Sequence, residues 1–504
     1  MTAQHAVRTE KRQPAKFAQK TTIAALKQDL SGIIHILTCG SVDDGKSTLI
    51  GRLLWDATDL YDDQRETLKR GKKVDGGNPD FSLLMDGLVA EREQGITIDI
   101  AWRYFDTEHS RFVVIDSPGH EQYTRNMASG ASHADVAIML IDARHGIKRQ
   151  TRRHAAILDL MGVKRVILAV NKMDLVDWSE KQFRDIEADF RKLCLKFDFL
   201  EALTIPVAAV SGDNVAQKSG HTPWYTGPHL LQHLEDLPSR GSHSAGPFRF
   251  PVQTVLRDGR DFRGLAGTVS SGTVHVGDSV FDVLSGRTAK VQRLSTMDGD
   301  LKAAIQGQAV AIQLDIDLDV SRGAVLSSPA TAPTPARSIE TRLVWLSEHG
   351  FDVDTGYLLR TATDLVPISG IEIKARLDLE TLVQHPIAQC GVNDIAIAHI
   401  DLGRATAIDP FANAPQTGSF MLVDAITGAS VAGGIVTAAS SAAGKSEENA
   451  FVLTRAMLER GVCADLKDVP GSEQEFRRRA NEVALILRSA GVAVKIEGPQ
   501  DFHI

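Results

Sequence analysis

Hydrophobic and polar residues alternate in blocks along the first half of the chain. Four short runs are β-branched and almost continuously apolar, which is typical of strands buried on both faces of a parallel sheet: GIIHILTCG, RFVVIDSPG, DVAIMLIDA and RVILAVNKMD. Segments with helical periodicity, such as QTRRHAAILDLMG and SEKQFRDIEADFRKLCLKF, lie between them. This order of strands and helices predicts a doubly wound α/β domain over residues 31–240.

The hydrophobic runs become shorter after residue 240. The linker SRGSHSAGP is followed by alternating runs separated by turn residues, such as LAGTVSSGTVHVGDSVFDVL and QAVAIQL. A second break, SSPATAPTPARS, precedes another β pattern that includes SGIEIKARLDL and DIAIAHIDL. Alternation of this kind is typical of small antiparallel barrels, so we predict one barrel over residues 241–335 and another over 336–440.

Both ends of the chain differ from these domains. Residues 441–504 contain two helical patterns, ENAFVLTRAMLERG and GSEQEFRRRANEVALILRSAG, followed by a strand-like VAVKIEG, and we predict a small appended helical and α/β segment. The second helix should begin at a capping box from Ser472 to Glu475 and end at Gly491. Residues 1–30 are rich in Lys, Arg and Gln without an apolar stretch. We predict a disordered extension there, with an organelle transit peptide as the alternative.

Composition narrows the classes of function. The 504 residues carry a formal net charge of -8, which argues against a broad nucleic-acid surface but is compatible with a local basic patch. No apolar run approaches the ~20 residues that span a bilayer, so no membrane association is expected. The cysteines Cys39, Cys194, Cys390 and Cys463 have no metal-ligand spacing. We expect them to be buried thiols in a reducing cytoplasm.

The segment GSVDDGKS fits the phosphate-loop pattern G-x-x-x-x-G-K-[ST] from Gly40 to Ser47. The two glycines let the backbone curl around phosphate oxygens, and Lys46 places a cation against the β- and γ-phosphates. Ser47 supplies a hydroxyl for Mg²⁺, and the helix that follows directs its N-terminal dipole at the anion. Alone, the segment also fits a glycine-rich turn. Its position between an apolar strand and a helix favours a nucleoside triphosphate.

The segment DSPGH ends another predicted strand. Asp116 is placed to hold Mg²⁺ through water, and Gly119 can offer its N–H to the γ-phosphate where a side chain would obstruct it. His120 stands where a residue would orient the attacking water. A plain turn is the alternative reading of this segment alone. Two strand-end motifs of the right type together favour a site of phosphoryl transfer.

The segment NKMD, which follows the strand VILAV, selects the base. A carboxylate at Asp174 can accept hydrogen bonds from N1–H and the 2-amino group of guanine. Adenine offers neither donor, and rejection of a ligand that leaves a buried polar group unpaired can reach ~10⁴-fold. Asn171 can bond the ring edge, and the stem of Lys172 can cover a face of the base. Alone the segment also fits a helix N-cap, but in this order it predicts GTP and GDP as ligands.

A fourth motif, EREQGITID, predicts a mobile element. Thr97 can bring its hydroxyl to Mg²⁺ and its backbone N–H to the γ-phosphate, contacts that hydrolysis would remove. An ordinary exposed turn is the alternative.

These motifs, in this order, resemble the translation-factor class of GTPases, whose nucleotide domain is followed by two β-barrels. A narrower resemblance is to the GTPase subunit of bacterial sulfate adenylyltransferases, the CysN family. It is carried by TCGSVDDGKSTLIGRLL, DGLVAEREQGITIDIAWRYF, DSPGHEQYTRNMASGAS, ARHGIKRQTRRH and GRATAIDPFANAPQTGSFMLVDAITGASVAGGIV. The resemblance covers roughly residues 31–436, so it extends through the second barrel. The implied fold class is an α/β P-loop GTPase domain followed by two antiparallel β-barrels and a small α/β extension.

The resemblance implies a two-subunit ATP sulfurylase. A CysD-like catalytic subunit would convert ATP and sulfate to adenylylsulfate and pyrophosphate, in a heterodimer or larger assembly, while this chain hydrolyses GTP. Slow hydrolysis is expected until the partner completes the site. The implied catalytic residues are His120, Lys46 and Thr97, and the implied Mg²⁺ ligands are Ser47, Thr97 and Asp116. The nucleotide would be bound by Gly40, Ser41, Val42, Asp43, Asp44, Gly45, Lys46, Ser47, Thr48, Asp116, Ser117, Pro118, Gly119, His120, Asn171, Lys172, Met173, Asp174, Ala208, Ala209 and Val210.

The sequence departs from the family pattern in two places. The fifth guanine motif, Ser-Ala-Leu-like in the family, is Ala208-Ala209-Val210 here. We expect a weaker loop but unchanged specificity, because Ala209 can still present its N–H to guanine O6. The tail resembles a fragment of adenylylsulfate kinase with a degenerate phosphate loop at SAAGKS, and Ala439 replaces its first glycine. An inactive remnant is therefore expected. The alternatives are a bifunctional GTPase and adenylylsulfate kinase, and a translation GTPase that delivers aminoacyl-tRNA.

Overall fold

A computed structural model describes residues 33–57, 79, 81, 99–237, 246–259, 262–387, 389–441, 451–453, 458, 462–466, 473–489 and 494–496. The predicted N-terminal extension and Thr97 lie outside these residues, as does most of SAAGKS. The fold class is as predicted, with an α/β nucleotide domain and two antiparallel barrels. Within the described part of the chain, no helix has the length and apolarity needed to cross a membrane.

The nucleotide domain is built on one six-stranded sheet. Its order is β2-β3-β1-β4-β5-β6, and only β2 runs antiparallel to its neighbour. The central strand β4 is buried at every position, which is why its sequence VAIMLID shows no alternation. The strands are β1 Ile33–Gly40, β2 Ala101–Asp106, β3 Arg111–Asp116, β4 Val136–Asp142, β5 Arg165–Asn171 and β6 Glu201–Pro206.

Helices cover both faces of this sheet, and the fourth of them buries a single apolar stripe. In the fourth helix, Phe183, Ile186, Phe190 and Leu193 recur at helical spacing and are buried. The Ser179 side chain caps this helix by accepting a hydrogen bond from the Gln182 N–H at 3.3 Å. The helices are α1 Lys46–Ala57, α2 Thr124–Ala131, α3 Arg149–Leu160, α4 Glu180–Cys194 and α5 Leu230–Glu235.

The sheet topology gathers the predicted motifs at one edge. Strand β1 pairs in parallel with β3 on one side and β4 on the other, and β4 pairs in parallel with β5. The phosphate loop follows β1, DSPGH follows β3 and NKMD begins at the end of β5. Ligands in open α/β sheets bind at the carboxyl ends of strands where the strand order reverses.

The first barrel closes through six strands. Strand β10 pairs with both β15 and β11, which completes the ring β10-β15-β7-β8-β14-β11. The strands of this region are β7 Arg249–Asp258, β8 Phe262–Thr268, β9 Thr273–His275, β10 Ser279–Asp282, β11 Thr288–Thr296, β12 Gly299–Leu301, β13 Ala303–Ile305, β14 Ala309–Leu314 and β15 Val325–Ser327.

The second barrel closes in the same way. Strand β17 pairs with both β21 and β18, which completes the ring β17-β21-β22-β16-β20-β18. Its strands are β16 Ala336–Trp345, β17 Tyr357–Arg360, β18 Leu365–Leu377, β19 Gln384–Pro386, β20 Ile395–Thr406, β21 Ser419–Asp424 and β22 Ser430–Ser440. Ala439 thus belongs to the last barrel strand, opposite Ile339.

A buried ion pair joins the two barrels. The guanidinium of Arg249 in β7 donates to both carboxylate oxygens of Asp409, at 2.9 Å from Nε and 2.8 Å from Nη2. Both side chains are 3% exposed. Thr417 Oγ1 also donates to this carboxylate at 2.7 Å, and Arg249 Nη2 donates to the Thr331 carbonyl at 2.7 Å. The paired charges are therefore fully hydrogen-bonded, as burial requires.

The nucleotide domain packs on the second barrel. Its core continues into Val344, Leu379, Ile395 and Ile435 of that barrel. At the end of α3, Asp159 accepts a hydrogen bond from Arg342 Nη2 at 2.8 Å. The two domains therefore share apolar surface as well as a charged contact.

The appended segment contains a parallel pair of short strands and a helix. The strands are β23 Phe451–Leu453 and β24 Val494–Ile496, and the helix is α6 Glu473–Ser489. The predicted helix over ENAFVLTRAMLERG is wrong in its first half, because FVL pairs with VKI as a strand. Three consecutive apolar residues without helical spacing suit a strand that packs against a helix.

Candidate nucleotide-binding site

The phosphate loop is folded by its own side chains. Asp44 Oδ2 accepts a hydrogen bond from the Ser41 N–H at 2.6 Å, and burial raises the pKa of this carboxyl group. Gly45 has a φ of +90°, a conformation that favours glycine. Helix α1 begins at Lys46, so its free N–H groups face the space inside the loop. The loop has the form of an anion cradle.

Lys46 lies inside this cradle with 7% of its surface exposed. Its Nζ donates to the carbonyl oxygens of Gly40 at 3.1 Å and Ser41 at 2.9 Å. Burial lowers its pKa, and the nearby carboxylates of Asp116 and Asp44 act in the opposite direction. Two of the three N–H donors of the ammonium group are thus taken by carbonyls of the loop.

The DSPGH segment lies against the same loop. Asp116 is 1% exposed, and its Oδ1 accepts a hydrogen bond from Thr38 Oγ1 at 3.0 Å. Ser117 Oγ donates to the Thr38 carbonyl at 2.6 Å. A Cβ atom on Gly119 would collide with Lys46 Nζ and would lie 2.7 Å from the Gly40 carbonyl oxygen. Only glycine fits at this contact.

His120 points away from this contact. Its side chain is exposed, its Nδ1 accepts a hydrogen bond from the Gln122 N–H at 3.4 Å, and its ring lies 6.1 Å from the ring of Tyr123. The structure therefore brings Lys46, Asp116 and Gly119 together and leaves the predicted water-orienting side chain facing solvent. Catalytic contacts are often completed only when substrate is bound.

A second group of residues packs behind Gly119 and was missed by the sequence analysis. Gln150 Nε2 lies 3.5 Å from the Gly119 carbonyl oxygen and 2.9 Å from His154 Nε2. His154 is 2% exposed, and burial, helped by the charges of Lys46 and Arg153, lowers its pKa to about 3. A neutral imidazole thus supports the turn. Gln150 and His154 both belong to the segment QTRRH, which is the part of the sequence that could have indicated this role. Its helical periodicity is explained equally well by an ordinary helix.

The NKMD segment joins the other loops. Asn171 is 2% exposed, its Nδ2 donates to the Asp44 carbonyl at 2.8 Å, and its Oδ1 accepts from the Ala209 N–H at 3.0 Å. Lys172 Nζ donates to the Asp43 carbonyl at 2.5 Å and lies 3.1 Å from Asp142 Oδ2. Its stem therefore extends across the region predicted for the base. Asp174 is exposed in the following turn, which leaves its carboxylate accessible to a ligand.

Asp142, at the end of β4, was not predicted as part of the site. Burial opposes its ionisation, but hydrogen bonds from Arg144 and Lys172 hold its pKa well below its usual range. It therefore remains an anion that orients Lys172.

The segment 208–210 differs from expectation in one contact. The N–H of Ala209, predicted to meet guanine O6, donates to Asn171 in this structure. Ala208 and Ala209 are both almost fully buried. The Val210 carbonyl accepts a hydrogen bond from Arg52 Nη1 at 3.2 Å, a contact that no sequence motif indicated.

The residues present fit Mg²⁺. Ser47 lies in the first turn of α1 and Asp116 is a buried carboxylate at the end of β3, and hydroxyl and carboxylate oxygens are the ligands that Mg²⁺ prefers. The third predicted ligand, Thr97, lies outside the described residues. The described residues contain no group of three or more His, Cys, Asp or Glu side chains arranged to hold a metal ion. A magnesium ion here would accordingly depend on phosphate oxygens and water.

Comparisons with known proteins match both the nucleotide domain and the second barrel. The Elongation factor Tu GTP binding domain family matches residues 31–240, and the GTP-eEF1A C-terminal domain-like family matches residues 338–437. A solved structure of sup35 complexed with GMPPNP has a TM-score of 0.38 and 24% identity, and covers 81% of this chain and 95% of that chain.

Two curated relatives are more similar in sequence. Sulfate adenylyltransferase subunit 1 of Methylorubrum extorquens is 45% identical over 407 residues, or 80% of this chain and 87% of that protein. The bifunctional enzyme NodQ of Rhizobium sp. (strain N33) is 45% identical over 412 residues, or 81% of this chain but only 64% of NodQ. The chain belongs to the sulfate adenylyltransferase subunit 1 family of translation-factor-type GTPases.

Proposed function

We propose that this chain is the GTPase subunit of a two-subunit ATP sulfurylase and that GTP hydrolysis at the site drives adenylylsulfate formation on a CysD-like partner. The observation that carries the proposal is the 45% identity over 407 residues to a sulfate adenylyltransferase subunit 1. That length exceeds the matched GTP-binding domain and so includes barrel sequence. We place the complex in the cytoplasm, which the free thiols of all four cysteines support.

The residues of the site suit GTP hydrolysis. Lys46 would exchange its carbonyl partners for β- and γ-phosphate oxygens, and Gly119 would offer its N–H to the γ-phosphate. His120, which is exposed in this structure, would turn toward the γ-phosphate and orient the attacking water. Ser47, Asp116 and Thr97 would hold Mg²⁺, which would supply positive charge to offset that of the phosphates. The carboxylate of Asp174 would select guanine.

Coupling has a thermodynamic requirement. Adenylylsulfate is a phosphoric–sulfuric mixed anhydride, so the equilibrium of its formation from ATP and sulfate lies far toward the reactants. A GTPase shifts that equilibrium only if its GTP and GDP states differ in affinity for the partner or its intermediates. The partner's contact surface must therefore respond to the occupant of the phosphate loop.

The test is the GTPase rate of the full chain, measured alone and with the CysD-like subunit, ATP and sulfate. We expect slow hydrolysis by the chain alone and stimulation that requires all three additions, with adenylylsulfate formed in parallel. There are two controls. One omits sulfate, and the other replaces ATP with an analogue whose bond between the α- and β-phosphates cannot be cleaved. An equal rate with and without the complete mixture would contradict the proposal.

A bifunctional GTPase and adenylylsulfate kinase is the second candidate, and the similarity to NodQ is the observation that favours it. Of SAAGKS, only Ser441 is among the described residues. We retain the proposal of an inactive remnant, because Ala439 stands in place of the first glycine and lies in a barrel strand. Incubation of the full chain with adenylylsulfate and ATP tests this. Formation of the 3′-phosphorylated product would show that the kinase is active.

A further inference from the structure

The base-binding segment 208–213 lacks the serine that the family pattern places at its first position. Ala208 stands there, and its backbone N–H donates to the Asp213 carbonyl at 3.2 Å while its carbonyl accepts from the Gly212 N–H at 2.8 Å. These bonds close a small turn. Both bonds lie within the turn, so its position in the domain depends on contacts with residues outside segment 208–213.

One external contact comes from Asn171. Its Oδ1 accepts the Ala209 N–H at 3.0 Å, which ties the turn to the end of β5. Ser219 Oγ holds the far end of the segment by donating to Asp213 Oδ1 at 2.6 Å. A third contact comes from Arg52 of α1, whose Nη1 donates to the Val210 carbonyl at 3.2 Å. The turn is thus held between the guanine-reading strand and the helix that begins at Lys46.

The surroundings of Arg52 fix its guanidinium in one orientation. Nε donates to Asp56 Oδ2 at 2.8 Å, one helical turn later, and both side chains are less than one fifth exposed. The ring of Phe81 lies 5.2 Å from Arg52 Cζ, and Phe81 is 2% exposed. A planar cation thus lies on an aromatic face, with Nε bound to Asp56 and Nη1 bound to Val210.

Gly212 borders Arg52 on the side of the turn. It has a φ of +87°, and a Cβ atom there would collide with the guanidinium. The turn therefore approaches Arg52 as closely as backbone allows. The flat guanidinium fits this gap and donates to Val210 and Asp56 from two different nitrogens, whereas the ammonium of a lysine is a single point charge that cannot stack as a plane on Phe81.

We propose that Arg52 is the positioning residue for guanine recognition, in place of the hydroxyl lost at Ala208. It fixes the backbone of segment 208–213 so that an N–H of this turn meets the O6 atom of the base. The inference rests on the proposed function only in requiring that guanine nucleotide binds here. It adds that α1, already the phosphate-binding helix, also sets the selectivity for the 6-position of the purine.

The test uses Arg52→Ala in the full chain and three diphosphates: GDP, 6-thio-GDP and IDP. The thio analogue changes only the acceptor at position 6, and IDP lacks only the 2-amino group that Asp174 is predicted to read. We expect Arg52→Ala to weaken GDP binding by about tenfold, the size typical of a lost charge-assisted hydrogen bond. The GDP preference over 6-thio-GDP should fall, while the preference over IDP stays unchanged.

Arg184→Ala is the matched control. Arg184 also pairs with carboxylates, stacks on an aromatic ring at 5.5 Å and donates to a backbone carbonyl, that of Trp224 at 3.4 Å. It lies on α4, and these contacts are with residues outside the phosphate loop. We expect its three affinities to match those of the unmodified chain. Arg52→Lys should fall between the unmodified chain and Arg52→Ala.

Two results would overturn the inference. One is an unchanged GDP affinity in Arg52→Ala, and the other is an equal fall of both selectivity ratios, which would indicate a general structural effect. A failure of the unmodified chain to bind GDP would instead contradict the proposed function.

Discussion

Asn171 connects three loops through a single amide group. It donates to the phosphate loop at Asp44 and accepts from the turn at Ala209, and its own backbone begins the NKMD segment. A Cβ atom on Gly45 would collide with this amide, so the loops are in close contact as well as hydrogen-bonded. The loops that we propose bind the phosphates and the base are therefore held in a fixed relation to one another.

Among individual residues, the sequence predicted the site residues that belong to known motifs. It did not predict contacts between residues that are far apart in the sequence. Lys46, Asp116 and Gly119 follow parallel strands, and strand ends meet by topology, so their proximity could be inferred. Arg52 and Val210 are 158 positions apart and join through a backbone carbonyl, which no side-chain pattern records. The exposed orientation of His120 also depends on local packing rather than on sequence.

Asp174→Asn should change the preferred base. The amide can donate a hydrogen bond to the 2-oxo group of xanthine at the place where we propose that the carboxylate accepts one from the 2-amino group of guanine. We expect GTP affinity to fall by at least about a hundredfold and xanthosine triphosphate to become the better ligand, because a site built for a hydrogen bond rejects a ligand that cannot form it. Competition binding against labelled GDP measures both.

The control is Asp177→Asn, the same chemical change three positions later. Asp177 is also exposed and has a φ of +50°, which asparagine tolerates. Its nucleotide preference should be unchanged. A retained GTP preference in Asp174→Asn would refute the assignment of Asp174 to the base.

Among the elements, helix α3 connects the candidate site at its first turn with the second barrel at its end. Gln150 in its first turn meets Gly119, and Asp159 near its end meets Arg342 of the second barrel. Its amphipathic pattern predicted the helix. The pattern did not predict that His154 would be buried on the face next to the phosphate loop, because a single histidine on an apolar face fits many environments.

His154 should make the stability of the protein fall in acid. The pKa of a free histidine is 6.5 and that of His154 is about 3, so between these values the unfolded chain binds a proton that the folded chain does not. The free energy of unfolding therefore falls as pH is lowered from 6.5 toward 3, and this contribution is fully present above 6.5.

Denaturant unfolding of the full chain at pH 7, 6 and 5 checks this prediction. His154→Leu, which keeps the site apolar, should show a shallower decline with pH than the unmodified chain. His109→Leu, at an exposed turn, is the control and should leave the slope unchanged. Parallel slopes for the unmodified chain and His154→Leu would exclude a neutral buried histidine.

At the scale of the whole molecule, periodicity predicted two barrels, and two closed six-stranded barrels are present. The contacts between them could not be predicted, since Arg249 and Asp409 are 160 positions apart and each lies in an ordinary strand or turn pattern. The predicted domain limits at residues 240, 335 and 440 remain predictions. The strands of the α/β sheet and of each barrel all lie within the limits predicted for their own domain.

Arg249→Leu should destabilise the protein strongly. It leaves the 3%-exposed Asp409 carboxylate without its cation, and an unpaired buried charge costs about 3–5 kcal/mol. The exposed pair of Arg293 and Asp300 is the control within the same barrel, and Arg293→Leu should cost much less stability, because exposed ion pairs contribute little. Denaturant midpoints of the two variants measure the difference. Equal losses of stability in the two variants would show that the buried ion pair contributes no more than the exposed one.

The apolar contact between the nucleotide domain and the second barrel limits how the protein can be divided. Because Val344, Leu379, Ile395 and Ile435 belong to the same core as α3 and its sheet, a fragment ending near residue 240 would expose a hydrophobic face to water. Such a fragment would be prone to associate with itself, and its nucleotide affinity would reflect an altered α3. Minimal versions of this GTPase should therefore retain the second barrel, even for experiments that concern only the nucleotide.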